Sequence, residues 1–176
     1  CSPVRAELNH HYLELDASYL AYERDVGDID GDGDNDLMAV REGDSTVEVF
    51  RAPDWTRSTL IHLTGAYPFP RADDFKVADI NGDGDVDVVA RLGPTAYGEE
   101  PGVAVWYENL GQGTGWVQRV IGGSPYYVKD IVVADFDRDA RLDVALRTDA
   151  ETQIWLQEAG GTWTEVALSH PTHEGL

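Results

Sequence analysis

Three short stretches hold most of the side chains that can do chemistry. They are Asp28-Ile-Asp-Gly-Asp-Gly-Asp-Asn-Asp36, Asp79-Ile-Asn-Gly-Asp-Gly-Asp-Val-Asp87 and Asp135-Phe-Asp-Arg-Asp-Ala-Arg-Leu-Asp143. Carboxylates crowded this closely repel one another unless a cation joins them. Ca2+ takes six to eight oxygens from carboxylates, carbonyls and water. A tight nine-residue loop can offer side chains from positions 1, 3, 5 and 9 and a backbone carbonyl from position 7. In the first loop these are Asp28, Asp30, Asp32 and Asp36 with the carbonyl of Asp34. In the second they are Asp79, Asn81, Asp83 and Asp87 with the carbonyl of Asp85. In the third they are Asp135, Asp137, Asp139 and Asp143 with the carbonyl of Arg141.

Position 6 is where such a loop turns sharply, and glycine suits it. Gly33 and Gly84 supply it, whereas the third loop has Ala140 and gains Arg138 and Arg141. Two strong calcium sites are therefore expected, with a third that is weaker or empty. A helix–loop–helix calcium hand would need Glu at position 12 and flanking helices. Position 12 is Ala39, Ala90 or Leu146, and the flanks read as strands, so that motif is excluded.

The loops sit inside a longer repeat. After each comes an apolar strand: Leu37 to Val40, Val88 to Ala90, Val144 to Leu146. A second strand follows, with an aromatic near its end at Phe50, Trp106 or Trp155. A turn and another tryptophan come next, at Trp55, Trp116 and Trp163, opening last strands at Ser58 to Leu63, Val117 to Ile121 and Thr164 to Leu168. Before the loops lie Tyr22 to Val26, Phe75 to Ala78 and Asp130 to Ala134. Each unit thus reads as four short β-rich strands punctuated by Gly, Pro, Asn and Asp. Four strands per repeat of roughly 40–50 residues is the pattern of a β-propeller blade. A β-sandwich is the competing fold, but its strands do not repeat in fours.

The acidic loops and the stretch Trp106-Tyr-Glu-Asn-Leu-Gly-Gln-Gly-Thr-Gly-Trp116 resemble the FG-GAP and VCBS repeats, the calcium-loop blades of integrin α-chain-like propellers. The resemblance runs over roughly residues 18 to 170. It implies an all-β fold, calcium loops that brace each blade, and partners ranging from adhesion proteins to glycans. It leaves the ligand open.

The expected organisation is residues 1–17 as an N-terminal segment, 18–65 as blade 1, 66–122 as blade 2, 123–170 as blade 3 and 171–176 as a tail. The piece Glu7 to Leu15 reads as a strand of an incomplete blade. Three blades are too few for a ring, which takes about four to eight. The chain is then part of a longer propeller, or two copies form a homodimer that completes a six-bladed ring.

In such a blade the metal loops and the turns before the last strands lie at one end. A ligand face is expected at the other, where Tyr67, Phe69, Tyr97, Tyr126 and Tyr127 fall. Aromatic rings beside carboxylates suit sugars, which stack and hydrogen-bond; packing between blades is the plainer use. Arg41, Arg91 and Arg147 end the second strands of the units and Glu23, Asp74 and Asp130 begin the first, which predicts a salt bridge in each blade.

Composition narrows the rest. Thirty-three acidic against thirteen basic residues give a net charge of −20, which speaks against nucleic acid and anionic lipid surfaces as partners. No apolar run approaches the about 20 residues of a membrane helix. The single cysteine, Cys1, excludes an intrachain disulfide and a cysteine zinc site. A lipidated Cys1 at the cell surface is one expectation and an arbitrary chain boundary the other. His10, His11, His170 and His173 are read as surface. Gly111-Gln-Gly-Thr-Gly115 opens a strand rather than a helix, so it is a turn and not a phosphate loop. The functional expectation is a non-catalytic extracellular calcium-binding module for adhesion or recognition of carbohydrate or a surface protein. The alternatives are the propeller part of a carbohydrate-active enzyme and a spacer in a large adhesin.

Overall fold

The computed structural model describes residues 14–15, 21–41, 46–62, 71–93, 101–124, 128–148 and 151–169. They hold twelve strands and no helix. The strands are β1 (Ala21–Gly27), β2 (Asp36–Arg41), β3 (Thr46–Arg51), β4 (Thr56–His62), β5 (Arg71–Ala78), β6 (Asp87–Gly93), β7 (Gly102–Asn109), β8 (Trp116–Ser124), β9 (Val128–Ala134), β10 (Asp143–Thr148), β11 (Glu151–Gln157) and β12 (Trp163–Ser169). They form three four-stranded antiparallel sheets, each of four successive strands in chain order. This is the build of three propeller blades, as the fourfold strand repeat predicts.

Strand alternation sends two sets of side chains to opposite faces of a blade, and both sets are apolar where blades meet. Between blades 1 and 2, Ile29, Met38, Val40, Val47 and Val49 pack against Phe75, Val88, Ala90, Leu92, Val105 and Tyr107. Between blades 2 and 3, Ile80, Val89, Ala104 and Trp106 meet Val128, Ile131, Val144, Leu146 and Trp155. Blade 2 is thus buried on both faces, and β6 is buried along its whole length. Each fully buried Val, Leu or Ile side chain contributes about 1.5–3 kcal/mol, so most of the stability lies between the sheets.

The first strands, β1, β5 and β9, are neighbours. Side chains tie them: the Val77 amide donates to Asp25 Oδ2 at 2.9 Å and the Ile131 amide to Asp74 Oδ2 at 2.6 Å. Gly122 of β8 faces the Trp155 indole, and a Cβ there would overlap the ring.

The expected salt bridges are met in one blade and replaced in another. Arg147 Nη2 lies 3.3 Å from Asp130 Oδ2. In blade 2 the register shifts between Ala72 and Phe75. Asp74 there takes Lys76 Nζ at 3.2 Å and the Ile131 amide. The buried Arg91 guanidinium instead folds between Gly93 and Gly102, where any Cβ would overlap it, and donates to the Ser124 carbonyl at 3.4 Å. In blade 1, burial and then the nearby Asp74 charge push the Glu23 carboxyl up. Trp116 and Trp163 begin β8 and β12, but Trp55 sits in the preceding turn at φ 59° and β4 starts at Thr56.

Blade 3 turns an apolar face outward. Ala145 pairs with both Val132 and Ile154, and Ile154 pairs with Val166. Val132, Phe136, Val166 and Leu168 are exposed, whereas Ile29 and Ile80, the counterparts of Phe136, are buried.

Candidate metal centres

Each acidic loop is wound around its first carboxylate. Asp28 Oδ1 accepts the amides of Gly31 and Asp32, and Oδ2 that of Gly33, at 2.8–3.1 Å. Asp79 does the same for Gly82, Asp83 and Gly84, and Asp135 for Arg138, Asp139 and Ala140. The turn needs left-handed backbone at positions 4 and 6. Gly31 and Gly33 stand at φ 75° and 97°, Gly82 and Gly84 at 76° and 96°. Arg138 and Ala140 take the same path at 69° and 71°, at a cost of roughly 1–2 kcal/mol each for an L side chain. The third loop therefore keeps the shape although it lacks the glycines.

Position 9 closes the loop from inside the sheet. Asp36, Asp87 and Asp143 are at most 1% exposed. Their Oδ2 atoms accept the amides of Ile29, Ile80 and Phe136 at position 2. Their Oδ1 atoms accept the amides of Ala52, just past the third strand of blade 1, and of Asn109 and Gln157, the last residues of the third strands of blades 2 and 3. Burial pushes the Asp36 carboxyl up against the pull of its two amides. It pushes Asp87 to about 6, with the charges of Asp83 and Asp79 adding to the rise. These aspartates clamp the loop to the strands, a role the nine-residue spacing alone does not reveal.

The remaining oxygens converge. Carboxylate oxygens of Asp28, Asp30 and Asp32 lie within 4.8 Å of one another, and so do those of Asp135, Asp137 and Asp143. Asp30 Oδ1 is buried and accepts no hydrogen bond. An all-oxygen set with an idle buried carboxylate oxygen matches the donor chemistry of a hard divalent cation. In the second loop Asn81 replaces the position-3 acid; its amide nitrogen donates to Asp83 Oδ2 at 2.8 Å, and its Oδ1 accepts the Asp83 amide at 3.0 Å. In the third, Arg141 pairs with Asp139 and donates from Nε to the Gln157 carbonyl at 2.7 Å. An internal cation thus neutralises its position-5 acid. Asp34 and Asp85 have their amides bound to the acid two residues earlier, as Arg141 does.

A family model of FG-GAP-like repeats matches residues 28–90, from the first acidic loop through the second one into β6. Residues 28–90 carry FG-GAP-like repeats. Repeats of this family form propellers, in agreement with the stacked sheets. No curated protein matches the chain. The third repeat lies beyond the matched residues, yet repeats the hydrogen bonds of the first two around Asp135 and Asp143.

Neighbouring repeats hold each other's loops through an amide side chain at one place. Asn109, at 0% exposure, donates to the carbonyl of Ile29 in the first loop at 3.0 Å and to that of Val86 at 3.1 Å. Its Oδ1 accepts the amides of Gly111 and Gly113. Gln157, its counterpart in repeat 3, donates to the Ile80 carbonyl of the second loop at 3.2 Å. Repeat 1 has Ala52 there. The only hint in the sequence was that two amides share that place. A cleft of about 330 Å³ opens between the second and third loops, beside Asn81, Trp106, Arg141 and Glu158. It lies at the metal-loop end, where no ligand face was expected. Tyr67, Phe69, Tyr97, Tyr126 and Tyr127 lie outside the described residues, as do Cys1 and the four histidines at the chain's ends.

Proposed function

We propose that this chain is a calcium-braced propeller module that works outside the cell as a non-catalytic recognition or adhesion surface. The convergence of Asp28, Asp30 and Asp32 around the buried, unpartnered Asp30 Oδ1 carries this reading. Asp28, Asp30 and Asp32 would hold the ion in the first loop and Asp79, Asp83 and the Asn81 oxygen in the second, each with the position-7 carbonyl. Asp36 and Asp87 back them from the sheet. The ion supplies positive charge to a turn whose carboxylates otherwise repel, so its work is structural. FG-GAP-like repeats are typically extracellular, where millimolar Ca2+ fills even modest sites. A lipid anchor through Cys1 would hold the module at a surface.

The acids support a structural role rather than catalysis, since the carboxylates at positions 1 and 9 of each loop are occupied with backbone amides. The partner surface belongs at the far end of the blades, in the connections β4–β5, β6–β7 and β8–β9 that contain the five aromatic candidates, with a glycan or surface protein as ligand. The outward apolar face of blade 3 suits a further blade of a longer ring. A homodimeric six-bladed ring would offer it blade 1, which has Ala52 in place of the clamping amide. Calorimetric titration with Ca2+, with Mg2+ as the contrast, tests the metal reading. Two or more Ca2+ sites of millimolar or better affinity are expected, and no heat above dilution at 10-fold higher concentration would refute it.

A further inference from the structure

The three acidic loops differ most in what the neighbouring strand puts beside position 3. Phe50, Tyr107 and Trp155 pair with Leu37, Val88 and Val144, the same place in each blade. The residue that follows is Arg51 in blade 1, Glu108 in blade 2 and Leu156 in blade 3.

Arg51 reaches the first loop. Its Nε lies 3.3 Å from Asp30 Oδ2, and its Nη1 donates to Ser58 Oγ at 2.7 Å. Both side chains are about three-quarters buried, at 27% and 24% exposure. A positive charge is thus fixed on a carboxylate that would hold the metal. Glu108 does the reverse in the second loop. Its Oε1 accepts from Asn81 Nδ2 at 3.3 Å, and its Oε2 is held by Arg119 Nε at 2.7 Å. The loop with a neutral residue at position 3 therefore has a strand-borne carboxylate beside it, only 16% exposed. Leu156 adds no charge to the third loop, where Arg141 already occupies Asp139.

We infer that these strand-borne side chains rank the loops for divalent cations: the second tightest through Glu108, the first weakened by Arg51, and the third last through Arg141. Arg51 acts as an internal counter-cation that the metal must displace from Asp30. Glu108, although Arg119 holds its Oε2, keeps Oε1 beside Asn81 as the carboxylate oxygen that position 3 lacks. The inference rests on the calcium reading above and adds the order of filling and the residues that set it. Fixed charges at this range act with little salt screening, because the separations are well inside the Debye length.

The test is Ca2+ titration of the full chain by calorimetry, with Tb3+ luminescence excited through tryptophan as a second readout. Two backgrounds isolate the loops: Asp79→Ala with Asp135→Ala leaves the first, and Asp28→Ala with Asp135→Ala leaves the second. Arg51→Gln should tighten the first loop about tenfold, and Arg51→Lys, which keeps the charge, should not. Glu108→Gln should weaken the second loop about tenfold, with Glu108→Asp recovering part of the loss. Circular dichroism before each titration confirms that the strands are intact, and a Gln variant that loses them is replaced by Arg51→Met or Glu108→Met, which remove the same charge. Wild-type chain that binds no Ca2+ overturns the calcium reading and the ranking with it. Wild-type binding that neither substitution shifts, or a first loop tighter than the second, overturns the ranking alone.

Discussion

Replacing Asn109 by Ala should cost far more than its size suggests. The side chain makes four hydrogen bonds from a fully buried place: two donated, to Ile29 and Val86 carbonyls, and two accepted, from Gly111 and Gly113 amides. At about 1 kcal/mol net for each bond the loss is about 4 kcal/mol. It rises to about 6 where the orphaned groups stay dry, since Ile29 and Gly113 are themselves buried. That is a large part of the about 5–15 kcal/mol that a domain of this kind has in reserve. Gln157→Ala is the internal control. It removes one such bond, to Ile80 at 3.2 Å, and should cost about 1–1.5 kcal/mol. Asn109→Asp separates donors from acceptors. It keeps the bonds from Gly111 and Gly113 but sets carboxylate oxygen against two carbonyls, so it should be at least as harmful as Ala. The assay is urea unfolding followed by tryptophan fluorescence, in chelator so that bound metal does not contribute, with stability from midpoint and slope. A loss below about 1.5 kcal/mol for Asn109→Ala, or equal losses at Asn109 and Gln157, would refute the clamp.

Three further outcomes are expected. Ala140→Gly relieves a left-handed alanine at φ 71° and should raise stability by about 1 kcal/mol, read as a higher melting temperature; a drop would mean the loop is not strained there. Gly122→Ala drives a methyl into the Trp155 ring and should cost about 1–3 kcal/mol, with a changed Trp155 environment in fluorescence; wild-type stability would show that the indole moves freely. Asp87, whose carboxyl is pushed from 3.8 to about 6, holds its proton more tightly folded than unfolded. In chelator, stability should therefore fall as pH rises from about 4 to about 6 and level off above that. The change is about 1–2 kcal/mol once solvent near the loop is allowed for, and a carboxyl NMR midpoint near 4 would contradict it.

Much of this architecture is legible in the residues because its signals are local. The nine-residue spacing places the loops, and apolar alternation either side of them gives four strands per repeat. Where expectation and structure part, a distant contact decides. β8 runs to Ser124 rather than stopping at Ile121, because Gly122 and Gly123 pair with Ala104 and Val103. Gly122 is the small residue that Trp155 requires. The expected Arg91–Asp74 pair does not form, because at the register shift Asp74 takes Lys76 and the Ile131 amide of blade 3 instead. Position 9 reads as one more ligand, and the structure adds a second role: both oxygens of Asp36, Asp87 and Asp143 accept amides, one of them from across the sheet. Arg51 and Glu108 carried no signal of their function, and Asn109 and Gln157 only the shared amide, since each acts on a loop folded from residues well away in the chain. The third loop, read as weaker or empty, keeps the backbone hydrogen bonds of the other two, and its charges are what differ.

The clamp also sets a schedule for making the protein. Ile29 leaves the ribosome eighty residues before Asn109, which must bond its carbonyl. Ile80 waits seventy-seven residues for Gln157. At about 5–20 residues per second, each acidic turn spends roughly 4–16 s without the amide that completes it. For that interval the loop depends on its own aspartates, whose bonds to the loop amides are all local.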